Sequence, residues 1–216
     1  MMEQDIRSMN KWLIVLSTLY GTDLVVCTLA YRTTYFRSLY WSVATELFLG
    51  ALAVLFVVLL YRDLRYVFSW KNFSFLKAAV YSGAAVLLAI GVNVVVQWVN
   101  YKLFHQDVHF YQSFIYLQYP KLAMILRIVL LPAVFVEIAY RGIILESLFR
   151  LADRRRAILV GAFLFAIIHM SFISFFWLVP FAVWLGNVRS REGTIWYGVC
   201  IHFFFNLTAC LFELLS

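Results

Sequence analysis

The sequence predicts an all-α polytopic membrane protein. Of its 216 residues, 64% are hydrophobic and only 13% are charged, and the mean hydropathy is +0.86. So few polar side chains cannot cover the surface of a water-soluble domain of this size. Apolar runs of about 20 residues, the length that crosses a bilayer, follow one another along the chain. We therefore expect a single membrane domain over residues 1–216, a bundle of seven transmembrane helices around a polar intramembrane cavity.

Seven apolar segments are the candidates for these helices. The first, Trp12–Tyr31, shows no small-residue cleavage pattern, so we interpret it as a retained anchor rather than a signal peptide. The interval Tyr101–Pro120 is rich in aromatic residues and typical of an interfacial loop, and it adds an eighth helix if it contributes one. The fifth and sixth segments are short and separated only by Ile173 and Ser174, which favours a tight hairpin. The other six segments are Tyr40–Tyr61, Ala78–Asn100, Leu122–Phe149, Ala157–Phe172, Phe175–Val188 and Thr194–Leu215.

Lysine and arginine are distributed unevenly between the two sets of loops. Twelve of the 18 fall in the N-terminal segment and in the second, fourth and sixth loops. Because basic loops remain in the cytoplasm, we predict a cytoplasmic N-terminus and an outside C-terminus, in the plasma membrane of a prokaryote. The net charge of +7 lacks an extended basic face, so lipid headgroups rather than nucleic acid are the expected counter-charge. The twelve are Arg7, Lys11, Arg62, Arg65, Lys71, Lys77, Arg150, Arg154, Arg155, Arg156, Arg189 and Arg191.

Polar residues inside three of the predicted helices indicate a functional site. Ionisable groups are rare in hydrocarbon and usually mark function. Four such polar residues lie 11 to 15 residues from the basic residue at the end of their segment. At the rise of an α-helix this corresponds to a depth of roughly 16 to 23 Å. If the three basic ends share one side of the membrane, the polar groups meet at one depth. They are Glu137, His169, His202 and Asn206.

Each of these residues has a partner four positions away, on the same face of its helix. The runs that contain these pairs resemble three motifs of the CPBP family, also called Abi, which comprises CAAX prenyl endopeptidases and bacteriocin-processing or immunity proteins. The family patterns are EExxxR, FxxxH and HxxxN, and the resemblance extends from residue 132 to residue 206. The pairs are Glu137 with Arg141, Phe165 with His169, and His202 with Asn206.

The resemblance assigns expected roles to the motif residues. His169 is expected to assist the base that activates water, while His202 and Asn206 polarise the scissile carbonyl and hold its oxyanion. Glu137 and Arg141 take the second-glutamate and arginine places, and Phe165 supports them. The first motif glutamate, which the family uses to activate water, is replaced by Val136; a valine cannot accept a proton.

Two other acids lie inside predicted helices and are candidates to replace that glutamate. Asp23 is twelve residues past Lys11, roughly 18 Å deep, and Glu46 lies in the outer half of the second span. Either acid can instead neutralise Arg127 or Arg141. Glu137 points about 100° around the helix from Val136, so it can substitute only if the helix is rotated or the water is placed differently. It would also have to leave Arg141.

Metal binding is left open by the sequence. Catalytic zinc usually has three good protein ligands, and two histidines with an asparagine supply too few. Glu137 would have to join them. The glutamate and histidine chemistry needs no cofactor. A second HxxxH, at His105 and His109, lacks the glutamate that HExxH chemistry requires and is interpreted as a solvated outer loop.

Two functional hypotheses follow from the motifs. The first is an intramembrane endopeptidase that cleaves a peptide or membrane-tethered protein by water activation near His169. The second is a catalytically inactive relative that uses the same groove as a membrane scaffold, a partner-binding protein or a bacteriocin-immunity protein. Both have the lipid bilayer and a peptide or membrane protein as partners. A transporter, which would show two related halves, ranks behind them.

Overall fold

The computed structural model describes residues 2–32, 39–71, 73–105 and 110–215. This part of the chain folds into a bundle of helices, as predicted, and contains no strand. Short helical turns at Tyr61–Leu64 and Phe110–Ser113 connect longer elements, and a π-helical turn over Asn100–Phe104 ends the third helix. The longer helices are α1 Met2–Arg32, α2 Leu39–Leu59, α3 Phe75–Val99, α4 Pro120–Leu151, α5 Arg154–Ile167, α6 Phe172–Glu192 and α7 Trp196–Leu215.

Among the described residues, six of these helices are long and apolar enough to cross a membrane, so the predicted count of seven is corrected. The exception is α5, whose 14 residues give a length of about 21 Å against a hydrocarbon core of about 30 Å. Side chains such as Ile14, Val58 and Leu87 are more than 60% exposed on the surface of the bundle. A surface this apolar requires lipid around it, which makes the chain an integral membrane protein.

The break between α5 and α6 lies at residues 168–171 rather than at Ile173 and Ser174. Met170 has a left-handed backbone with φ of 48°, which ends the α5 turn. Ser171 then caps α6, because its hydroxyl accepts the backbone N–H of Ser174 at 3.3 Å. The predicted hairpin therefore forms, with α5 and α6 packed together, and the chain returns to the side from which it entered.

The loops that were predicted to be basic come together on one side of the bundle, which we call the basic side. Lys11 at the start of α1 bonds Asp63 after α2 at 2.5 Å. Lys77 at the start of α3 bonds Glu192 at the end of α6 at 2.8 Å. These contacts place the N-terminal, second and sixth loops at the same end of the structure. The opposite end carries the interval Tyr101–Pro120, in which the described residues form no membrane helix; residues 106–109, including His109, lie outside the described part.

Helix α4 is the centre of the bundle and contacts α1, α2, α5, α6 and α7. It is irregular, with π-helical turns over Ile125–Leu130 and Ile138–Ile144. Such turns change the direction in which successive side chains point, and they occur often at functional sites. Its main neighbour α7 is held on the other side by α3, whose buried residues are all small and allow close packing. They are Ala78, Ser82, Ala85 and Ala89.

Candidate functional site

A cavity of about 370 Å³ lies where α4, α5, α6 and α7 meet. His169, just after the end of α5, lines it together with His202 and Asn206 from α7, so three of the four polar residues singled out in the sequence share one hollow. The rest of the wall is mainly aromatic and aliphatic. The lining residues are Glu46, Arg127, Ile128, Pro132, Val136, Phe165, His169, Trp177, Leu178, Phe181, His202, Phe205 and Asn206.

Val136 and Glu137 occupy different environments although they are neighbours in α4. Val136 lines the cavity, at the place where the family pattern has its first glutamate. Glu137 is fully buried behind the wall. Its carboxylate Oε1 lies 3.2 Å from Arg141 Nη1 and 3.0 Å from His202 Nδ1. The second-glutamate position therefore bonds the α7 histidine and leaves the cavity surface to valine.

Gly198 makes room for this carboxylate on α7. A Cβ at that position would overlap Glu137 Oε2 and come within 3.3 Å of its Cδ. Because only glycine lacks a Cβ, α7 can approach α4 closely enough for His202, one turn further along, to reach Glu137. The tight packing of α4 and α7 thus depends on a residue outside the three motifs.

Phe165 connects the α5 motif to the α4 motif. Its ring lies under the Arg141 guanidinium, with 4.5 Å from Arg141 Cζ to the ring centroid, a cation–π contact that stabilises a buried arginine. Its backbone carbonyl lies 2.8 Å from His169 Nδ1, and the rings of Phe165 and His169 are 4.7 Å apart. The expected supporting role of Phe165 therefore has a structural basis in two contacts.

Hydrogen bonds assign the same tautomer to both histidines. The carbonyl of Phe165 and the Arg141-paired carboxylate of Glu137 can only accept, so Nδ1 of His169 and Nδ1 of His202 must each carry the proton. In a neutral ring, Nε2 then keeps a lone pair. Both imidazoles therefore offer the cavity a base, and His202 can donate from Nε2 only when it is doubly protonated.

Asn206 bonds α4 at a point where the helix cannot satisfy its own backbone. Its amide Nδ2 donates to the carbonyl of Ile128 at 2.8 Å. Four residues later the chain has Pro132, which lacks the N–H that would otherwise pair with this carbonyl. One amide hydrogen of Asn206 is used in this way, and the second is available to a ligand in the cavity.

Glu46 is the acid that α2 contributes to the cavity. Its Oε2 is buried and has no hydrogen-bond partner among the described residues, and the same is true of Arg127 Nε on α4. Gly50, one turn after Glu46, brings α2 against α4, because a Cβ there would lie 2.7 Å from the Phe135 ring. This close contact holds the Glu46 face of α2 beside Val136.

Asp23, the other candidate acid, does not line the histidine cavity. It lies in an adjoining hollow of about 160 Å³ between α1, α2 and α4, whose wall includes Tyr140 and Ile168. Glu46, Pro132 and Val136 border both hollows. Of the two acids, only Glu46 therefore faces the same space as the histidines.

Sequence reasoning missed a second buried charge cluster, on the basic side. Glu146 bonds Arg150 at 3.0 Å, and it is only 2% exposed. Arg189, assigned to a loop, is 3% exposed in α6, and it bonds Glu146 Oε2 at 3.5 Å and the Arg141 carbonyl at 3.2 Å. Tyr66 also donates to Glu146. Burial is the main reason why the pKa of Tyr66 is raised above its usual value, and the hydrogen bond to Glu146 raises it further.

The described side chains indicate whether the site can hold a metal ion. Within the described residues, no group of three or more His, Cys, Asp or Glu side chains is arranged to hold a metal ion. Glu137, which would have to complete a zinc site, is engaged by Arg141 and His202 behind the cavity wall. The described donor set thus does not fit catalytic zinc, which needs about three protein ligands. Cys27, Cys200 and Cys210 are free thiols.

Comparison with protein families agrees with the motifs. Residues 118–208 match the family described as type II CAAX prenyl endopeptidase Rce1-like. These residues span α4 to α7, the helices that build the cavity. Residues 118–208 are therefore similar to a CPBP-type intramembrane-protease domain, and the resemblance seen in the sequence is confirmed over this region. No curated protein and no solved structure matches the chain.

Proposed function

We propose that the protein is an intramembrane endopeptidase that hydrolyses a peptide or a membrane-tethered protein in the histidine cavity. The observation that carries this proposal is that His169, His202 and Asn206 converge on one hollow of about 370 Å³. Glu46 also lines it, and its Oε2 has no hydrogen-bond partner among the described residues. Peptide hydrolysis needs a base for water and donors for the oxyanion. The cavity has side chains of both kinds.

Glu46 acts as the general base in place of the missing motif glutamate. Its carboxylate removes a proton from water, and the resulting hydroxide oxygen attacks the scissile carbonyl carbon. His169 accepts the second water hydrogen at Nε2 and so orients the water. Supporting this assignment, Val136 and Glu46 border the same space, and Glu46 Oε2 has no hydrogen-bond partner among the described residues.

His202 and Asn206 stabilise the oxyanion. The free amide hydrogen of Asn206 donates to the carbonyl oxygen, and His202 donates from Nε2 in its doubly protonated form. Glu137 accepts the Nδ1 proton of His202 at 3.0 Å and acts as a positioning residue. The protonated Glu46 then transfers its proton to the amide nitrogen as the C–N bond breaks, so that one water yields a carboxyl and an amine.

The walls of the cavity indicate the kind of peptide that it takes. Trp177, Phe181 and Phe205 contact one another, with ring centroids of Trp177 and Phe205 5.3 Å apart. This aromatic surface suits apolar side chains next to the scissile bond. The charge asymmetry of the loops supports a cytoplasmic basic side and an outside C-terminus in a prokaryotic plasma membrane.

A catalytically inactive scaffold is the second candidate function. Val136 favours it, since the wall position of the first motif glutamate carries no acid. In that case the cavity binds a membrane partner or a bacteriocin without cleaving it. Glu137 and Arg141 then only hold α4 and α7 together.

The test uses purified protein and a peptide library with mass-spectrometric detection of new termini. We expect cleavage by the starting protein, and a loss of about 100- to 1000-fold in His202→Ala, the range for removal of an oxyanion donor. Glu46→Gln should lose about 100-fold or more, as for a general base. Asp23→Asn, in the adjoining hollow, is the matched control and should cleave at the starting rate.

Each result distinguishes the two functions. Equal turnover by Glu46→Gln and the starting protein would assign the base elsewhere, while leaving the endopeptidase in place. If the starting protein cleaves no peptide and cleavage is seen only in Val136→Glu, the protein is an inactive scaffold. Retained cleavage by His202→Ala would refute the proposed site altogether.

A further inference from the structure

A second large cavity opens on the basic side of the hairpin formed by α5 and α6. It has a volume of about 580 Å³ and lies apart from the histidine cavity, with no lining residue in common. Its rim carries three arginines and its wall is apolar. The lining residues are Arg154, Arg155, Ile158, Leu159, Val183, Asn187 and Arg191.

The neighbouring acids form their ion pairs with cations other than the three rim arginines. Asp153 accepts the backbone N–H of Arg156 and pairs with its Nε at 3.2 Å. Glu192 bonds Lys77 at 2.8 Å and Tyr81 at 3.0 Å. No ion pair involves any of the three rim arginines among the residues that the structure describes.

Two of the rim arginines, Arg154 and Arg155, also stand at an unfavourable end of their helix. With Arg156 they form the first turn of α5, where the N-cap Asp153 is the only acid and is engaged by Arg156. A helix N-terminus carries a partial positive charge, so cations in that turn repel it. An anion in the cavity would relieve this repulsion and would lie close to the N-terminal backbone N–H groups.

The apolar wall of the cavity favours a lipid over a free anion as its ligand. Ile158 lies on the α5 side, where α6 approaches most closely: a Cβ at Gly186 would stand 3.0 Å from Ile158 Cγ2. Leu159 and Phe163 continue from the cavity along the outer face of α5 and are 49% and 45% exposed. This face can hold an acyl chain while the arginines hold a phosphate above it.

We propose that the cavity between α5 and α6 binds an anionic phospholipid, with its phosphate among Arg154, Arg155 and Arg191 and an acyl chain along Leu159. Basic pockets between membrane helices suit such headgroups. The site lies on the hairpin that carries His169 at its other end. Bound lipid would therefore hold α5 against α6 and fix the turn that presents this histidine to the cavity.

The test is native mass spectrometry of the detergent-purified protein with phosphatidylglycerol and phosphatidylcholine added in equal amounts. We expect retention of phosphatidylglycerol, and loss of its preference in the triple variant Arg154→Gln, Arg155→Gln, Arg191→Gln. Each arginine is expected to contribute about fivefold to the affinity for phosphatidylglycerol, so the triple variant should lose roughly 100-fold in that affinity. The matched control is Arg62→Gln, Arg65→Gln, Lys71→Gln, which removes the same charge from the same side.

The control should retain the preference within about threefold, because none of its three residues lines the cavity. Equal losses in the two triple variants would overturn the proposal and assign the preference to net charge alone. Displacement of the lipid by glycerol phosphate at equal concentration would assign the cavity to a free anion. Thermal unfolding of both variants verifies that they are folded, since all six side chains are at the surface.

Discussion

Substitution of Gly198 by alanine tests whether Glu137 is the residue that joins α4 to α7. The added Cβ overlaps Glu137 Oε2. A carboxylate at the end of a flexible side chain usually moves away from such a clash at little cost. Glu137 cannot do so freely, because it is fully buried and its Oε1 is held by Arg141 at 3.2 Å and by His202 at 3.0 Å.

The expected cost follows from these contacts. If the helices separate instead, overpacking costs about 1–3 kcal/mol, and if the carboxylate moves, Arg141 loses its partner in a buried site, at about 3–5 kcal/mol. The smaller of these two costs sets the effect, so we expect Gly198→Ala to lower the free energy of unfolding by about 1–3 kcal/mol. Detergent-denaturant titration, followed by tryptophan fluorescence, measures this quantity.

Two further variants make the measurement specific. Gly91→Ala is the matched control, since a Cβ on this exposed α3 residue meets nothing within 4 Å; it should be neutral or stabilise by up to about 1 kcal/mol. Glu137→Asp shortens the clashing side chain and should partly rescue Gly198→Ala, with a coupling of about 1 kcal/mol or more. If Gly198→Ala is as stable as Gly91→Ala, the carboxylate is not confined as described and the reasoning fails.

Three other substitutions are expected to change stability, by the same unfolding measurement. Gly50→Ala brings a Cβ to 2.7 Å from the Phe135 ring, so it should lower the free energy of unfolding by about 1–3 kcal/mol. It should also lower the rate of peptide cleavage, because it moves Glu46. Unchanged stability would show that α2 is not tightly packed there. Glu146→Ala leaves Arg189 buried without its carboxylate, at about 3–5 kcal/mol. Tyr66→Phe removes one hydrogen bond to Glu146 and should cost only about 1 kcal/mol, so the opposite order would contradict the assignment of the cluster.

Depth in the membrane was the most informative signal in the sequence. Counting from the basic ends predicted that residues on three helices meet, and the structure brings His169, His202 and Asn206 to one cavity. The helical period of 100° per residue also separated Val136 from Glu137 correctly, one on the wall and the other behind it. Both arguments need only the rise and turn of an α-helix, and Val136 and Glu137 lie in the α-helical part of α4 between its two π-helical turns.

The features that sequence reasoning missed depend on packing between helices. Hydropathy assigned Ala157–Phe172 to a full span, because it cannot register the left-handed Met170 or the capping of α6 by Ser171. Arg189 was counted as a loop cation, since a three-helix cluster around Glu146 leaves no local pattern. The one available signal was Pro132, whose missing N–H required a donor from elsewhere, and Asn206 supplies it.

The geometry around Val136 bears on how a family motif can lose its acid without losing its site. Glu137, Arg141 and Phe165 keep the contacts that fix both histidine tautomers, and none of these contacts involves residue 136. The position is therefore free to change as long as some carboxylate reaches the same space. Gly50 allows α2 to bring Glu46 there. Glu46→Gln combined with Val136→Glu should consequently recover the cleavage that Glu46→Gln loses, and failure of the pair to do so would show that the two carboxylates are not interchangeable.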